Sequence, residues 1–571
     1  MTNSAAAGDA GAVQRPLRGD RETHSVVADR DAAERMSRKA TPRARGQATA
    51  QPRLLIDAAI AVFILLFIAY YARTTLTPDG VAYFENAELF ARGQWSEAIQ
   101  GYWSPGYSLL LVPVVWLAGE DRALFLSLAH LLQALLAIAA LWLSVLSVRA
   151  RVPALAQRAV FWGCAWIELR WLSQEVLTPD LLLCVLLLLF IIRLPAHNKR
   201  EQLILGAIAG AGFLVKTSIW PWLVVALAVA TLRSFRAGNW RLLPLPLIGT
   251  AAAIAGAFVM TLSIRAGHPT LGSVGPLNAR WYLGDLERRT PDGDLGPHAT
   301  KKHLVFPTPP IGVPFHDFRA SARTYLPWSD PERWANGVPA NAVPSLSAAQ
   351  AVTTWNENFR LLFKWLVPLA IALAVIVAMS GSHSSESTVL LKILDRPLLL
   401  VGVINILTFL MVHAEVRLLA PAMLQCLLGA WSTAPLGQAR KHFPWASRAM
   451  VAGVVLQLAM YTQPMPRNLS ANAASQGGAD RYLDEQLLRR PNDSVIIVGP
   501  AVTWMSALWR HHMHVALQIG GEGAAIVNLI PEGQRLQWLK DQFADEVLGV
   551  GEAVVRRQNG SLITDRFFTA W

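Results

Sequence analysis

Residues 54–72 read LLIDAAIAVFILLFIAYYA, an apolar run with one charge, Asp57, near its start. A run of this length is close to what a bilayer core requires of a helix. Runs like it recur along the 571-residue chain, which is 53% hydrophobic and only 16% charged, with a mean hydropathy of +0.34. A soluble domain of this size carries more charge. The sequence therefore predicts a polytopic α-helical membrane protein.

The charge pattern orients it. Net charge is +12, which in a soluble protein would suggest nucleic acid. Here the basic residues fall in short loops between apolar runs, as the positive-inside rule expects, and no nucleic-acid partner is implied. Residues 1–52 are basic, unpatterned and rich in Ala, Arg, Asp and Gly, and read as a disordered cytoplasmic tail. They lack the apolar core of a signal peptide. Spans are then expected at 54–72, 123–147, 159–174, 178–193, 202–215, 217–232, 242–264, 359–380, 397–412, 418–436 and 448–463, about eleven in a transmembrane domain covering 53–463. Its long outer loops are 73–122 and 265–358. Within the first, the stretch around Pro105 and Pro113 reads as an interfacial helix, since a further span there would turn later basic loops outward. Residues 464–571 read as a small extracytoplasmic α/β domain, with helices at Asp480–Leu488 and Val502–Arg510 around a strand at Ser494–Val498. The N-terminus is thus expected in the cytoplasm and the C-terminus outside it.

Three cysteines, Cys164, Cys184 and Cys426, lie in apolar runs without metal-ligand spacing. His298, His303, His316 and Asp317 match no zinc pattern and read as a solvated loop. VIIVGPA has one glycine and falls short of a dinucleotide fingerprint. No cofactor motif is present, and a divalent metal is left open.

Ionisable residues collect at one set of span ends. Asp79 and Glu85 follow the first span, Glu168, Arg170 and Glu175 precede Asp180, Lys216 sits at a turn, and His413, Glu415 and Arg417 sit between two late spans. Charges near membrane depth usually mark a site. Arginine can hold a phosphate through a bidentate fork and lysine as a point charge. A carboxylate can accept the proton of an attacking hydroxyl. Simpler roles exist as well. Asp79 lies in the turn T-P-D-G and could cap the next helix, Asp180 could cap its own, Lys216 could snorkel, Arg417 could simply pair with Glu415, and Glu85 and Glu88 read as solvated or loop-contacting. Trp281, Trp328 and Trp334 suit either sugar stacking or packing on the membrane.

The stretch TPDGVAYFENAELFARGQW (77–95), followed by YWSPGYSLLL (102–111), resembles the first outer loop of the GT-C superfamily of membrane glycosyltransferases. That superfamily includes the protein O-mannosyltransferases and the aminoarabinose transferase of lipid A. Asp79, Tyr83, Ala87 and Gly93 fit its pattern; LTPDLLL (177–183) matches its second acidic site at Asp180, and GFLVKTSIWP (212–221) its basic turn at Lys216. HAEVRLLAPAM (413–423) resembles its late E-x-R-Y-x-x-P element through Glu415, Arg417 and Pro421, with Leu418 where the family has Tyr. VGPLNARWYLGD (274–285) and TYLPWSDPERWANGV (324–338) look like the long loop of a bacterial branch. The resemblance implies a bacterial inner-membrane enzyme that moves a sugar from a polyprenyl-phosphate donor to a glycan, lipid or protein acceptor at the periplasmic face, usually with inversion. Asp79 would be the general base. Lys216 and Arg417 would bind donor phosphate, Asp180 would orient the acceptor or a neighbouring cation, and Tyr83, His413 and Glu415 would line the substrate site. The alternatives are a multi-pass transporter or lipid flippase, which predicts midplane charges and repeat symmetry, and a GT-C-like scaffold without activity.

Overall fold

The computed structural model describes residues 42–148, 177–194, 198–220, 244–284, 302–305, 312–317, 323–331, 347–360, 397–414, 416–431, 494–498, 505–510 and 514–519, with scattered positions between. The chain divides into two units, Met1–Asp57 and Ala58–Trp571. The first holds the opening turns of one helix, and the second holds the other described elements.

In chain order the helices are α1 (Pro42–Ala72), α2 (Pro78–Ala91), α3 (Trp95–Ala98), α4 (Pro105–Ala118), α5 (Arg122–Val148), α6 (Asp180–Arg193), α7 (Lys199–Val215), α8 (Leu245–Ala266) and α9 (Val274–Leu283). Then come strands β1 (Lys302–Val305) and β2 (Gly312–Asp317), helices α10 (Leu326–Ser329), α11 (Pro397–Val412) and α12 (Val416–Trp431), strand β3 (Ser494–Val498), helix α13 (Met505–Arg510) and strand β4 (His514–Ile519). Three segments among the described residues are long and apolar enough to cross a membrane: Leu55–Ala72, Arg122–Ser147 and Leu245–Ala266. Phe63, Phe67, Trp142, Met260 and Ile264 stand exposed on them, as side chains facing lipid would. The chain is a multi-pass membrane protein. The expected spans at 159–174 and 448–463 lie outside the described residues, and 217–232, 359–380 and 418–436 are described only in part.

Helices pack closely where small residues allow it. Gly206 and Gly210, one turn apart on α7, face α8: a Cβ on Gly206 would stand 2.5 Å from the Leu247 carbonyl oxygen, and one on Gly210 2.7 Å from Ile254 Cβ. This is the small-xxx-small solution for helices in lipid, where the hydrophobic effect supplies no attraction between them. Gly402 and Gly429 serve α11 and α12 in the same way, against Ala422 and Leu399.

The layer beside the bundle is held differently. Helix α2 is buried over most of its surface, and its Phe84 meets Phe125 of α5 and Trp509 of α13 with ring centroids 4.6 and 5.5 Å apart. Ser506 and Arg510 of α13 donate to the carbonyls of Leu76 and Thr74, at 2.7 and 2.9 Å. The strand and helix expected at Ser494–Val498 and Val502–Arg510 are present as β3 and α13, while 480–488 lies outside the described residues. The strands form one sheet of order β1-β2-β4-β3. Strand β2, from the long loop, pairs antiparallel with β4 through His316↔Gln518 and Asp317↔Leu517, and β4 runs parallel to β3 with a register shift between Val495 and Ile496. His303, His316 and Asp317, expected in a loop, are thus placed on strands, and His298 lies outside the described residues. Period-2 alternation is weak there, with Pro314 inside the strand, which is why the sequence reads as a loop.

Candidate active site

Four helix ends meet in one region. Asp79 is the second residue of α2, Asp180 the first of α6, Lys216 follows the last residue of α7, and Arg417 is the second residue of α12. Each is placed by local sequence. Thr77 caps α2: its hydroxyl oxygen accepts from the Gly80 amide at 3.3 Å, and Pro78 fills the first helical position. The capping role considered for Asp79 therefore belongs to Thr77. Pro179 is the N-cap of α6 and offers no side-chain cap, and Asp180 opens the first turn as its acidic residue. Lys216 leaves α7 in an extended conformation, φ −160° and ψ 120°. The approach of α4 fixes that exit, since a Cβ on Gly106 would lie 2.7 Å from the Val215 amide nitrogen.

The charges pair across helices. Arg417 Nη1 lies 2.6 Å from Asp79 Oδ2. Lys216 Nζ lies 2.6 Å from Asp180 Oδ1. The second pair is braced: Thr178 donates its hydroxyl to Asp180 Oδ2 at 2.8 Å, and Gln133 of α5 donates to the Thr178 carbonyl at 2.9 Å. Asp180 is 3% exposed and Lys216 22%, against 14% for Asp79 and 25% for Arg417.

Tyr83, one helical turn beyond Asp79, stands between the pairs electrically. Its phenol is held well above its ordinary value, first by burial, then by the carboxylates of Asp180 and Asp79, with Arg417 pulling the other way. It stays a neutral hydroxyl. Its ring meets Trp103 and Tyr107 edge-on, with centroids 5.1 and 5.3 Å away.

His413 lies in the turn just before α12, four positions from Arg417. Its ring stacks on Tyr282 of α9 at 3.9 Å with 5° between planes. Asn358, in the helical stretch 348–360, clamps that turn by accepting from the Ala414 amide and donating to the Leu410 carbonyl, both at 3.0 Å. Glu415, Glu168, Arg170 and Glu175 lie outside the described residues. Among the described residues no cluster of three or more His, Cys, Asp or Glu side chains could hold a metal.

One set of contacts was not specified by sequence reasoning. Glu85, expected to be solvated or loop-contacting, is buried and contacts the long loop, accepting from the Thr324 amide at 2.6 Å. Arg323 donates to Asn86 Oδ1 at 3.0 Å and to the Glu97 carbonyl at 2.9 Å, and lies 3.9 Å from Glu85. Gln100 bridges Asn86 and the Ser329 carbonyl, and the Trp103 indole donates to the Trp328 carbonyl at 3.0 Å. The segment 323–329 of the long loop is thereby fastened over α2 beside Tyr83. Its signal in the sequence was a glutamate and an asparagine set within a helix whose other faces are apolar. Trp281 packs near Tyr102, with centroids 5.7 Å apart.

The chain matches no protein-family model and no curated protein. Among solved structures it is similar to ArnT from Cupriavidus metallidurans bound to undecaprenyl phosphate, with 13% identity, a TM-score of 0.46, and coverage of 85% of this chain and 89% of that one. The apo state of the same protein gives 13% identity and a TM-score of 0.37 over the same shares.

Proposed function

We propose that the chain is a GT-C-type glycosyltransferase of the bacterial inner membrane, moving a sugar from a polyprenyl-phosphate donor to an acceptor hydroxyl at the periplasmic face. The observation that carries this reading is the pairing of Asp79 with Arg417 and of Asp180 with Lys216 at adjoining helix ends around Tyr83. Two cations near one carboxylate base suit a phosphate leaving group and a hydroxyl nucleophile. Asp79 takes the acceptor proton. Arg417 and Lys216 hold the donor phosphate and stabilise the charge that grows on it. Asp180, braced by Thr178, keeps the Lys216 ammonium in place. Tyr83, neutral at any ordinary pH, offers a hydroxyl to the sugar or the phosphate, and the stacked rings of His413 and Tyr282 offer a contact for the substrate near Arg417. Inversion follows if the acceptor attacks opposite the departing phosphate.

The test is a deletion strain analysed by mass spectrometry of envelope glycans and lipids, complemented with wild type or with Asp79→Asn. A glycan substituent lost on deletion, restored by wild type and not by the folded Asp79→Asn protein is the expected result. Restoration by Asp79→Asn overturns the enzymatic assignment and favours a flippase or an inactive scaffold.

A further inference from the structure

The reading above leaves one matter of charge unresolved: Arg417 is already committed to Asp79, the group that is to act as base. We propose that Arg417 serves Asp79 and the leaving phosphate in turn, so that proton uptake by the carboxylate releases the guanidinium to the phosphate at the moment the phosphate gains charge. The inference rests on the proposed function and concerns the regulation of the same site.

The step balances. The acceptor oxygen forms a bond to the anomeric carbon, and its proton goes to an Asp79 carboxylate oxygen. The bond from that carbon to the phosphate oxygen breaks, and its electron pair stays on the phosphate. A sugar phosphodiester carries one negative charge, whereas the released phosphate monoester carries roughly −1.5 to −2 near neutral pH. One unit of negative charge thus leaves the carboxylate as one appears on the phosphate. A guanidinium 2.6 Å from Asp79 Oδ2 loses its ionic partner in that instant and gains a stronger one.

The geometry suits Arg417 for this and Lys216 less. The two cations are about equally exposed, at 25% and 22%, but the carboxylate that Arg417 meets is the more open one, at 14% against 3%, and is not engaged in capping, since Thr77 does that. Five N–H donors in a planar fork let one guanidinium reach two anions without leaving its helix position. Lys216 meets a carboxylate that is 3% exposed and also bound by the Thr178 hydroxyl. That pair is fixed, and the Asp79–Arg417 pair is the exchangeable one.

Binding of undecaprenyl phosphate to the full-length protein in detergent tests this, with undecaprenol as the phosphate-free control. Asp79→Asn keeps the shape and removes the competing charge, so it is expected to bind undecaprenyl phosphate more tightly by on the order of tenfold while losing transfer. Arg417→Gln is expected to weaken binding, and in the double variant the gain from Asp79→Asn should vanish. If Asp79→Asn binds no more tightly while Arg417→Gln weakens binding, the exchange is overturned and the phosphate site stands. If neither substitution changes binding, the exchange and the phosphate-site reading both fall. A gain that appears equally with undecaprenol traces to the lipid tail and also overturns the exchange. Arg417→Lys, which preserves charge without the fork, keeps the test informative should Arg417→Gln fold poorly, and a loss of the Asp79→Asn gain in that background supports the proposal.

Discussion

The two ion pairs share a 2.6 Å spacing and differ in almost everything around it. Asp180–Lys216 is the deeper pair, tied through Thr178 to Gln133 on α5 and so to the body of the bundle. Asp79–Arg417 joins the start of α2 to the start of α12, with both side chains partly open. A charge pair removed from water holds only when further hydrogen bonds satisfy it, and then breaking it by removing one member is costly. A solvent-exposed pair contributes little to stability, and Asp79, at 14% exposed, lies nearer that limit than Asp180 at 3%. The contrast assigns work: the buried pair is architecture that positions a cation, and the open pair is available for chemistry.

Substitutions can break that division. The largest effect is expected for Asp79→Asn, a loss of about 10²–10⁴ in transfer, the usual worth of a general base, with thermal stability in detergent close to wild type. A matching collapse in stability would show that the pair is structural after all. Asp180→Asn should do the reverse in stability, leaving Lys216 without its anion and lowering unfolding free energy by roughly 3 kcal/mol, read as a clear drop in melting temperature. Transfer should fall with it, because Lys216 is no longer held. Gly106→Val tests the same lysine from behind. Its side chain would strike the backbone at Leu214 and Val215, and an overpacking loss of about 1–3 kcal/mol is expected, again measured as a melting shift. The smallest effect is expected for Ser506→Ala, which removes one bond to the Leu76 carbonyl and should lower stability by about 1 kcal/mol without changing transfer in a membrane-reconstituted assay.

How much of this was legible beforehand depended on the kind of signal. The apolar helices were, because a bilayer imposes length and apolarity on each segment alone: the segments Leu55–Ala72, Arg122–Ser147 and Leu245–Ala266 lie within a few residues of their expected places, as do the shorter helices α6, α7 and α11. The site residues were nominated by sidedness, and Asp79, Asp180, Lys216 and Arg417 do come together. Who pairs with whom was not legible. Arg417 pairs with Asp79, 338 positions distant in the chain, a partner the sequence did not suggest, while Glu415 lies outside the described residues. Pairing across helices depends on their packing, which Gly106, Gly206 and Gly210 set through contacts that no periodicity encodes. Glu85 was read as solvated or loop-contacting, and which of the two held depended on packing for a related reason: the return of Thr324 and Arg323 over α2 supplies the amide and the charge that make its burial tolerable.

The pairing of β2 with β4 has a consequence for how the protein is made. Strand β2 leaves the ribosome roughly two hundred residues before the strand that completes its sheet. By then the intervening helices α11 and α12 have been synthesised, and the long loop must wait on its side of the membrane with an unpaired edge. A strand translated late thus completes a sheet begun in the long loop. A nonsense mutation near residue 514 would therefore be read out hundreds of positions upstream, as a bundle that inserts normally and a long loop that never settles.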